Sequence, residues 1–302
     1  MAGTKDQRKA FVDWLTVAAI GLFWVSLVAM ALNSSRLPAA VVVIALAVLG
    51  GFYMSLQHEV IHGHPTHSSQ FNRLLVGAPL GMVQPFARYR ATHLAHHESD
   101  LTDPADDPES YYVLPAEWAR AGAAHRALLR ANRTLAVRLT VGPVLAAWQM
   151  LRFDRGRFWH DANIRAAWFA HIPATGAVIV AIRASGLPLW MYLLGFVYGG
   201  ASLTSMRSFV EHRAHAGAPR SAIVRSNWFF SLLYLNNNLH YTHHQLPGVA
   251  WFRLPELTEV MEAETAVADG AGMYPGYFSI VRRYFLRPFD LPVYPLSEAI
   301  KA

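Results

Sequence analysis

The chain contains no cysteine and few charged residues. Without cysteine, no disulfide, thiolate metal ligand or cysteine-ligated iron–sulfur cluster can form within it. Charged residues make up only 15% of the 302 residues and hydrophobic residues 53%, which is too apolar for an ordinary soluble domain. Internal repeats, low-complexity tracts and a separate soluble domain are also missing, so we expect a single membrane-embedded domain over residues 1–302.

Long apolar runs predict four transmembrane helices. Each run has roughly the 20 residues that are needed to cross a bilayer. The runs cover residues 11–32, 37–56, 166–182 and 187–206. Residues 134–151 are also apolar, but Arg138, Pro143 and Gln149 interrupt them, so we expect a helix that lies in the membrane interface.

The basic residues predict the orientation in the membrane. Two short turns, residues 33–36 and 183–186, would face the outside and carry one arginine each. Nearly all other basic residues fall on the opposite side, which the positive-inside rule assigns to the cytoplasm. Residues 57–165 and 207–302 would then form a cytoplasmic cap with an interfacial helix near residues 277–285. This topology accounts for the net charge of +6 without a nucleic-acid partner.

The expected fold is therefore an all-α integral membrane protein, in which four transmembrane helices carry a cytoplasmic helical cap. Both chain ends would lie in the cytoplasm. Arginine greatly outnumbers lysine, a bias typical of GC-rich bacterial genomes, so we expect a bacterial inner membrane.

Histidine is abundant, and most of it is grouped. The first cluster is His58-x-x-x-His62, the second His93-x-x-His96-His97 and the third His240-x-x-His243-His244. On a helix, residues i, i+3 and i+4 share one face, so each cluster should aim two or three imidazoles at a common point. Imidazole binds iron, copper, zinc and nickel, and eight rings exceed what one tetrahedral zinc needs. The clusters predict a dinuclear metal centre, which would lie on the cytoplasmic side.

Polar residues near the clusters are candidate partners for the metal-binding imidazoles, because such rings commonly donate their other N–H to a carboxylate or carbonyl. The candidates are Asp103, Asp106, Asp107 and Glu109 after the second cluster, Glu211, and Asn236 before the third. A solvated acidic loop is the alternative for the carboxylates. Asn236 would share the ligand face of a continuous helix with His240, or it would simply cap that helix.

Seven histidines lie outside the clusters. His212 would emerge just below the fourth predicted span, level with the clusters, and position alone leaves open whether it is structural or a ligand. We expect His64, His67 and His215 to lie beside the site or on the surface. His125, His160 and His171 have no partners in sequence and are expected to be structural.

Two other functions remain open at this point. His58-Glu59-x-x-His62 also matches the zinc-protease motif, with Glu59 as general base, although that reading leaves the second and third clusters without a purpose. A metal-transport role would predict ionisable residues deep within several spans, whereas only His171 lies well inside one and Asp13 lies at an edge.

The order of the three clusters around two pairs of spans resembles the membrane fatty acid desaturase superfamily, which includes related hydroxylases and carotenoid ketolases. The likeness runs from about residue 50 to residue 257, with close echoes at residues 89–97, 208–213 and 236–240. It implies that the clusters bind two iron ions, and that a histidine between the last span and the third cluster completes the set. The implied ligands are His58, His62, His93, His96, His97, His212, His240, His243 and His244.

The resemblance also implies the reaction and the partners. The expected activity is oxygen-dependent desaturation of a fatty acyl or lipid chain. The alternative is hydroxylation or ketone formation on an alkyl, lipid or carotenoid substrate. The third cluster begins with His240 instead of glutamine, which disfavours the front-end desaturases. No His-Pro-Gly-Gly haem motif and no flavin or nicotinamide fingerprint is present, so electrons are expected from a separate ferredoxin, or from a cytochrome with its reductase.

Overall fold

The computed structural model describes residues 12–215 and 218–295. The predicted start of the first span at Phe11, and residues 216–217 and 296–302 of the predicted cap, lie outside the described residues. Within the described residues the chain is mostly helical.

Two long apolar helices begin the described chain. Helix α1 covers Trp14–Asn33 and continues through a 3₁₀ turn, Ser34–Arg36, while α2 covers Ala39–Ile61. The Asp13 side chain caps α1 by accepting hydrogen bonds from the backbone N–H groups of the first turn. Both helices are long and apolar enough to cross a membrane, as predicted. Helix α2 extends five residues beyond the predicted end at residue 56.

A helical segment without a long apolar helix follows. Its helices are α3 Ser69–Val76, α4 Phe86–Glu98, α5 Pro115–Arg120, α6 Ala123–Ala131, α7 Leu135–Thr140 and α8 Gly142–Arg157. The prediction of one helix over residues 134–151 is wrong in detail, because the stretch is divided between α7 and α8. Pro143 lies in the first turn of α8, where its missing N–H costs little, and it could not continue the ladder of α7.

The third long helix, α9, covers Ala162–Ala184 and is again long and apolar enough to span a membrane. It begins four residues before the predicted span because Asp161 caps it. The fourth predicted span, residues 187–206, is helical but is not among the long apolar helices of the described residues. It consists of α10 Leu189–Tyr192, a π-helical segment Leu193–Gly199, and α11 Gly200–Ser208.

The remaining chain combines short helices with two short strands. They are β1 Ile223–Val224, α12 Trp228–Leu233, α13 His240–Gln245, a 3₁₀ turn Trp251–Arg253, α14 Leu254–Val260, α15 Ala263–Ala266, β2 Met273–Tyr274 and α16 Tyr277–Tyr284. Strands β1 and β2 pair in parallel, so the all-α prediction is incomplete. The predicted interfacial helix near residues 277–285 corresponds to α16.

Glycines allow α2 to pack directly against the segment from Leu193 to Ser208. A Cβ atom added to Gly50 would lie 2.1 Å from the carbonyl oxygen of Phe196 and 3.0 Å from the Cα of Gly200. Small residues permit such close backbone approach between apolar helices, where packing supplies much of the association energy. This contact fixes α2, which carries the first histidine cluster, against the segment that leads to His212.

Gly50→Ala is expected to destabilise the protein by about 1–3 kcal/mol, because the added methyl group has no space between the two backbones. The measurement is thermal unfolding of the purified protein in detergent. Gly21→Ala in α1 is the matched control, because a Cβ there meets no atom within 4 Å. Equal unfolding temperatures for the two variants would contradict the close-packing account.

Candidate metal centre

Four chain segments bring the clustered histidines and His212 together. His58 lies in the last turn of α2 and His62 follows as its C-cap residue. The second cluster lies on α4 and the third on α13. His212 follows α11 and is held by a β-bridge to Ser221.

The nine histidines form two groups, each of which could hold a metal ion. Within each group the candidate ligand atoms all lie within 4.8 Å of one another. The five-histidine group contains His58, His62, His93, His97 and His243. The four-histidine group contains His96, His212, His240 and His244.

The second and third clusters each contribute to both groups: two imidazoles of each cluster converge on one group, within the predicted two or three, and the remaining imidazole enters the other group. In the second cluster, His93 and His97 enter the five-histidine group and His96 enters the four-histidine group. In the third cluster, His243 enters the five-histidine group, and His240 and His244 enter the four-histidine group. Residues i and i+4 lie almost in line along a helix, whereas the residue between them is rotated to one side. The rings of His97 and His244 stack with their centroids 4.2 Å apart where the two groups meet.

The separations of the ring nitrogens fit a metal. In the five-histidine group, the Nε2 atoms of His62 and His93 lie 3.0 Å apart, and those of His97 and His243 lie 3.2 Å apart. In the four-histidine group, Nε2 of His212 lies 3.0 Å from Nε2 of His96 and 2.9 Å from Nε2 of His240. Two nitrogens at about 2.1 Å from one metal and at right angles to each other would be about 3.0 Å apart. The spacing is therefore that of adjacent ligands.

The opposite edges of several rings contact polar groups. His96 Nδ1 lies 2.7 Å from Asp107 Oδ1, and His93 Nδ1 lies 3.3 Å from the Glu109 carboxylate. An acceptor at Nδ1 holds the N–H on that atom and leaves the Nε2 lone pair for a metal. This orientation again fits the binding of metal through Nε2.

Burial opposes protonation of the imidazoles, although at His96 the hydrogen bond with Asp107 and the nearby carboxylates outweigh burial and raise the pKa. Burial lowers the pKa of His62 to about 2 and that of His97 to about 3, and the neighbouring imidazole of His93 adds to both shifts by repelling a second positive charge. The pKa values of His243 and His244 are also well below the usual range, for the same two reasons. Neutral imidazole is the form that binds metals, so the site is suited to metal near neutral pH.

The acidic loop places two of the predicted carboxylates against histidines and two elsewhere. Asp107 and Glu109 contact the rings of the second cluster, as described above. Asp103 Oδ1 accepts a hydrogen bond from the backbone N–H of Ala105, and Asp106 Oδ2 accepts one from the N–H of Asp100. The contacts of Asp103 and Asp106 are within the loop itself, which matches the alternative of a solvated acidic loop.

The continuous helix through His240, on which a ligand-face position of Asn236 depended, does not form, and Leu239, not Asn236, is the N-cap residue of α13. Helix α13 begins at His240, and Asn236 has a positive φ of 54° in the preceding turn. Its Nδ2 donates to the carbonyl oxygen of Trp251 instead. Asn237, which we did not single out, lies 3.1 Å from His240 Nδ1 and 3.3 Å from His58 Nε2 through its amide. The run of three asparagines before His240 was the only signal for it in the sequence.

Glu211 links the four-histidine group to a buried arginine. Its carboxylate forms an ion pair with Arg207 at 2.9 Å and lies 3.6 Å from His240 Nδ1. All three side chains are buried. Glu211 thus lies beside the site, as predicted. Its role there stays a prediction.

Other histidines lie apart from the two groups. Among the described residues, His67, His125, His160 and His215 belong to neither group. His171 Nε2 lies 3.0 Å from the carbonyl oxygen of Met82. His64 joins Asp13 and Glu59 in a separate buried cluster.

The protease alternative needs the Glu59 carboxylate at the histidine site. Glu59 instead accepts a hydrogen bond from the backbone N–H of Trp251, and its Oε1 lies 4.0 Å from His64 Nε2. These contacts direct the Glu59 carboxylate towards Trp251 and His64, whereas a general base must lie within hydrogen-bond reach of the metal-bound water. The geometry disfavours a zinc protease.

Asp107→Asn is expected to weaken metal binding by about 10–100-fold, because partners that orient ligating histidines typically contribute that much. The measurement is metal affinity in competition with a chelator. Asp103→Asn, in the same loop, should leave the affinity unchanged. Equal weakening by both variants would show that the effect belongs to the loop and not to the contact with His96.

Together, the apolar helices and the buried histidines define a helical membrane protein with a cage that could hold metal ions. A model of the fatty acid desaturase family matches residues 34–276, which include all nine histidines, and the chain belongs to this family. No individual curated protein matches the sequence.

Proposed function

We propose that this protein is an oxygen-dependent di-iron desaturase that introduces a double bond into a fatty acyl or lipid chain. Membership of the fatty acid desaturase family supports oxidation of a fatty acyl substrate. The observation that carries the di-iron assignment is the division of nine buried or half-buried histidines into two adjacent groups. One tetrahedral zinc would use at most four of these nitrogens.

Each group supplies imidazole nitrogens, a ligand set that suits iron. Bound iron would supply the activation of O2: two hydrogens would leave neighbouring carbons, and O2 would become two waters with two electrons from the carrier and two protons from solvent. The protein's own residues orient several of these rings. The carboxylates of Asp107 and Glu109 and the amide of Asn237 do so through direct ring contacts.

We further propose four transmembrane segments, with both chain ends and the metal centre on the cytoplasmic side of a bacterial inner membrane. His96 and His212 belong to the same group, yet α9 lies between them in the chain. If α9 crosses the membrane, the chain must cross back before His212. Residues 189–208 are helical, and at about 1.5 Å per residue they are about 30 Å long, which matches the hydrocarbon core.

The domain organisation and the electron source complete the proposal. A single domain would comprise the spans and a cap formed by residues 57–165 and 207–302. The sequence carries no flavin, nicotinamide or haem fingerprint, which supports a separate ferredoxin, or a cytochrome with its reductase, as the donor.

The proposed activity is tested by expressing the protein in a bacterial host of defined lipid composition and profiling the lipids by mass spectrometry. A desaturase yields acyl chains that have lost two hydrogens, and His243→Ala abolishes this product because it removes a ligand of the five-histidine group. Products that have gained an oxygen atom instead would identify a hydroxylase or ketolase. Lipids identical to those of the empty host, despite a folded protein with iron bound and an electron donor present, would overturn the proposal.

A further inference from the structure

One buried arginine has no acidic partner in the described part of the chain. Arg138, on α7, is only 1% exposed. Its Nε donates to the carbonyl oxygen of Asn132 at 3.2 Å, and its guanidinium lies 3.7 Å from the centre of the Tyr111 ring. Its Nη1 is buried and makes no hydrogen bond within the described residues. Buried charges are normally paired, because burial without a partner is costly.

The other buried arginines show the usual arrangement. Arg133 forms an ion pair with Asp290, and Arg207 forms one with Glu211. Asp290, the carboxylate of the nearby pair, is already engaged by Arg133 and by the Tyr112 hydroxyl. Asp290 attracts the Arg138 guanidinium only from beyond ion-pair distance, and Tyr111 is its polar side-chain neighbour, so Arg138 is a buried cation that forms no ion pair within the described residues.

A second unpaired polar group lies beside this guanidinium. The side-chain Oδ1 of Asn132 is buried without a hydrogen-bond partner in the described residues. Gly142 leaves room for both groups, because a Cβ atom there would lie 3.0 Å from Arg138 Cδ and 3.4 Å from Asn132 Oδ1. The oxygen and nitrogen of an amide side chain can exchange places, so Asn132 can present its NH₂ group to an anion.

The location links this cluster to the membrane and to the metal centre. The Ser202 hydroxyl donates to the carbonyl oxygen of Leu139 on α7, so α7 borders the fourth proposed span. The hydroxyl of Tyr111, the ring that covers the guanidinium, lies 3.4 Å from Ser208 Oγ, four residues before His212. An anion held here would lie beside the segment that leads to His212.

We propose that Arg138 and Asn132, covered by Tyr111, bind the anionic head of a lipid. Guanidinium presents two parallel N–H donors, which match the oxygens of a carboxylate or a phosphate. The exposed Tyr111 ring covers the guanidinium, so its rotation would open a path for the head group to Nη1. The binding of an anion at this site does not depend on the proposed function. The further statement that the lipid is the substrate, with its chain directed towards the histidines, rests on the proposed function.

The test measures equilibrium binding of radiolabelled probes to the purified full-length protein in detergent. The probes are palmitate, dipalmitoyl phosphatidate and the uncharged methyl palmitate. At least one anionic probe is expected to bind roughly tenfold more tightly than methyl palmitate, because charge-assisted hydrogen bonds are the strong ones. A preference for palmitate indicates a free carboxylate as the head group, and a preference for phosphatidate indicates a phosphate.

Arg138→Gln should abolish the preference for the anion, and Arg130→Gln should preserve it. Arg130 is an exposed arginine on the neighbouring helix α6, so its replacement removes the same charge without touching the site. Arg138→Lys retains the charge but lacks the paired donors, and it should lose most of the preference while remaining folded. Equal binding of charged and uncharged probes by the unaltered protein, or a preference that survives Arg138→Gln, would overturn the proposal.

The outcome is separable from that of the proposed function, because binding is measured without oxygen or reductant and iron is determined on the same sample. Iron in both groups without an anion preference overturns only the lipid-head site. An anion preference in a protein that binds no iron supports the site and contradicts the di-iron proposal.

Discussion

His212→Ala is expected to lower bound iron from about two ions to about one per chain and to abolish turnover, because the four-histidine group would keep only three imidazoles. The Nε2 atom of His212 lies about 3 Å from those of both His96 and His240, so it occupies the middle of that group. The iron of the five-histidine group should remain. Iron analysis and lipid profiling of the same preparation measure the two effects.

Two controls make the His212 result specific. His160→Ala removes an exposed histidine that belongs to neither group, and it should change neither iron nor activity. His96→Ala removes another member of the four-histidine group and should match His212→Ala. Full iron and full turnover in His212→Ala would remove this residue from the metal centre.

Arg207→Leu is expected to destabilise the protein by about 3–5 kcal/mol, because it leaves the carboxylate of Glu211 buried without its partner. Both side chains of the pair are buried, and Glu211 also lies 3.6 Å from His240. The change should therefore disturb the four-histidine group as well as the fold. Unfolding temperature in detergent and iron content are the measurements.

The matched control is Arg225→Leu, which breaks the exposed ion pair between Arg225 and Glu264. Exposed pairs contribute about 0–1 kcal/mol, because water screens both charges in the folded and the unfolded protein. The Arg225 side chain is 62% exposed, whereas that of Arg207 is 9% exposed. If both replacements lowered the unfolding temperature equally, the buried pair would not have the role assigned to it.

Local spacing in the sequence predicted the part of the site that depends on helical geometry. The imidazoles of each cluster lie on consecutive turns of α2, α4 or α13. The structure brings these rings together in the two histidine groups. His212 is different, because a lone histidine carries no spacing signal. Its membership came from resemblance to a family, and the contacts of its Nε2 atom now support it.

Other features depend on tertiary packing and could not be predicted locally. Helical spacing turns His96 away from His93 and His97, but which partners each of them meets follows from how α4 and α13 face each other. Asn237 takes the place predicted for Asn236 because the chain turns through positive φ at Leu235 and Asn236 before α13 begins. The unpaired state of Arg138 is likewise invisible until the positions of the surrounding carboxylates are known.

Metal analysis of the purified protein tests the central claim most directly. We expect about two iron ions per chain in the unaltered protein, and about one after loss of His212, because the four-histidine group then keeps only three imidazoles. About one zinc ion per chain and no iron, in a folded protein purified from iron-replete cells, would contradict the account.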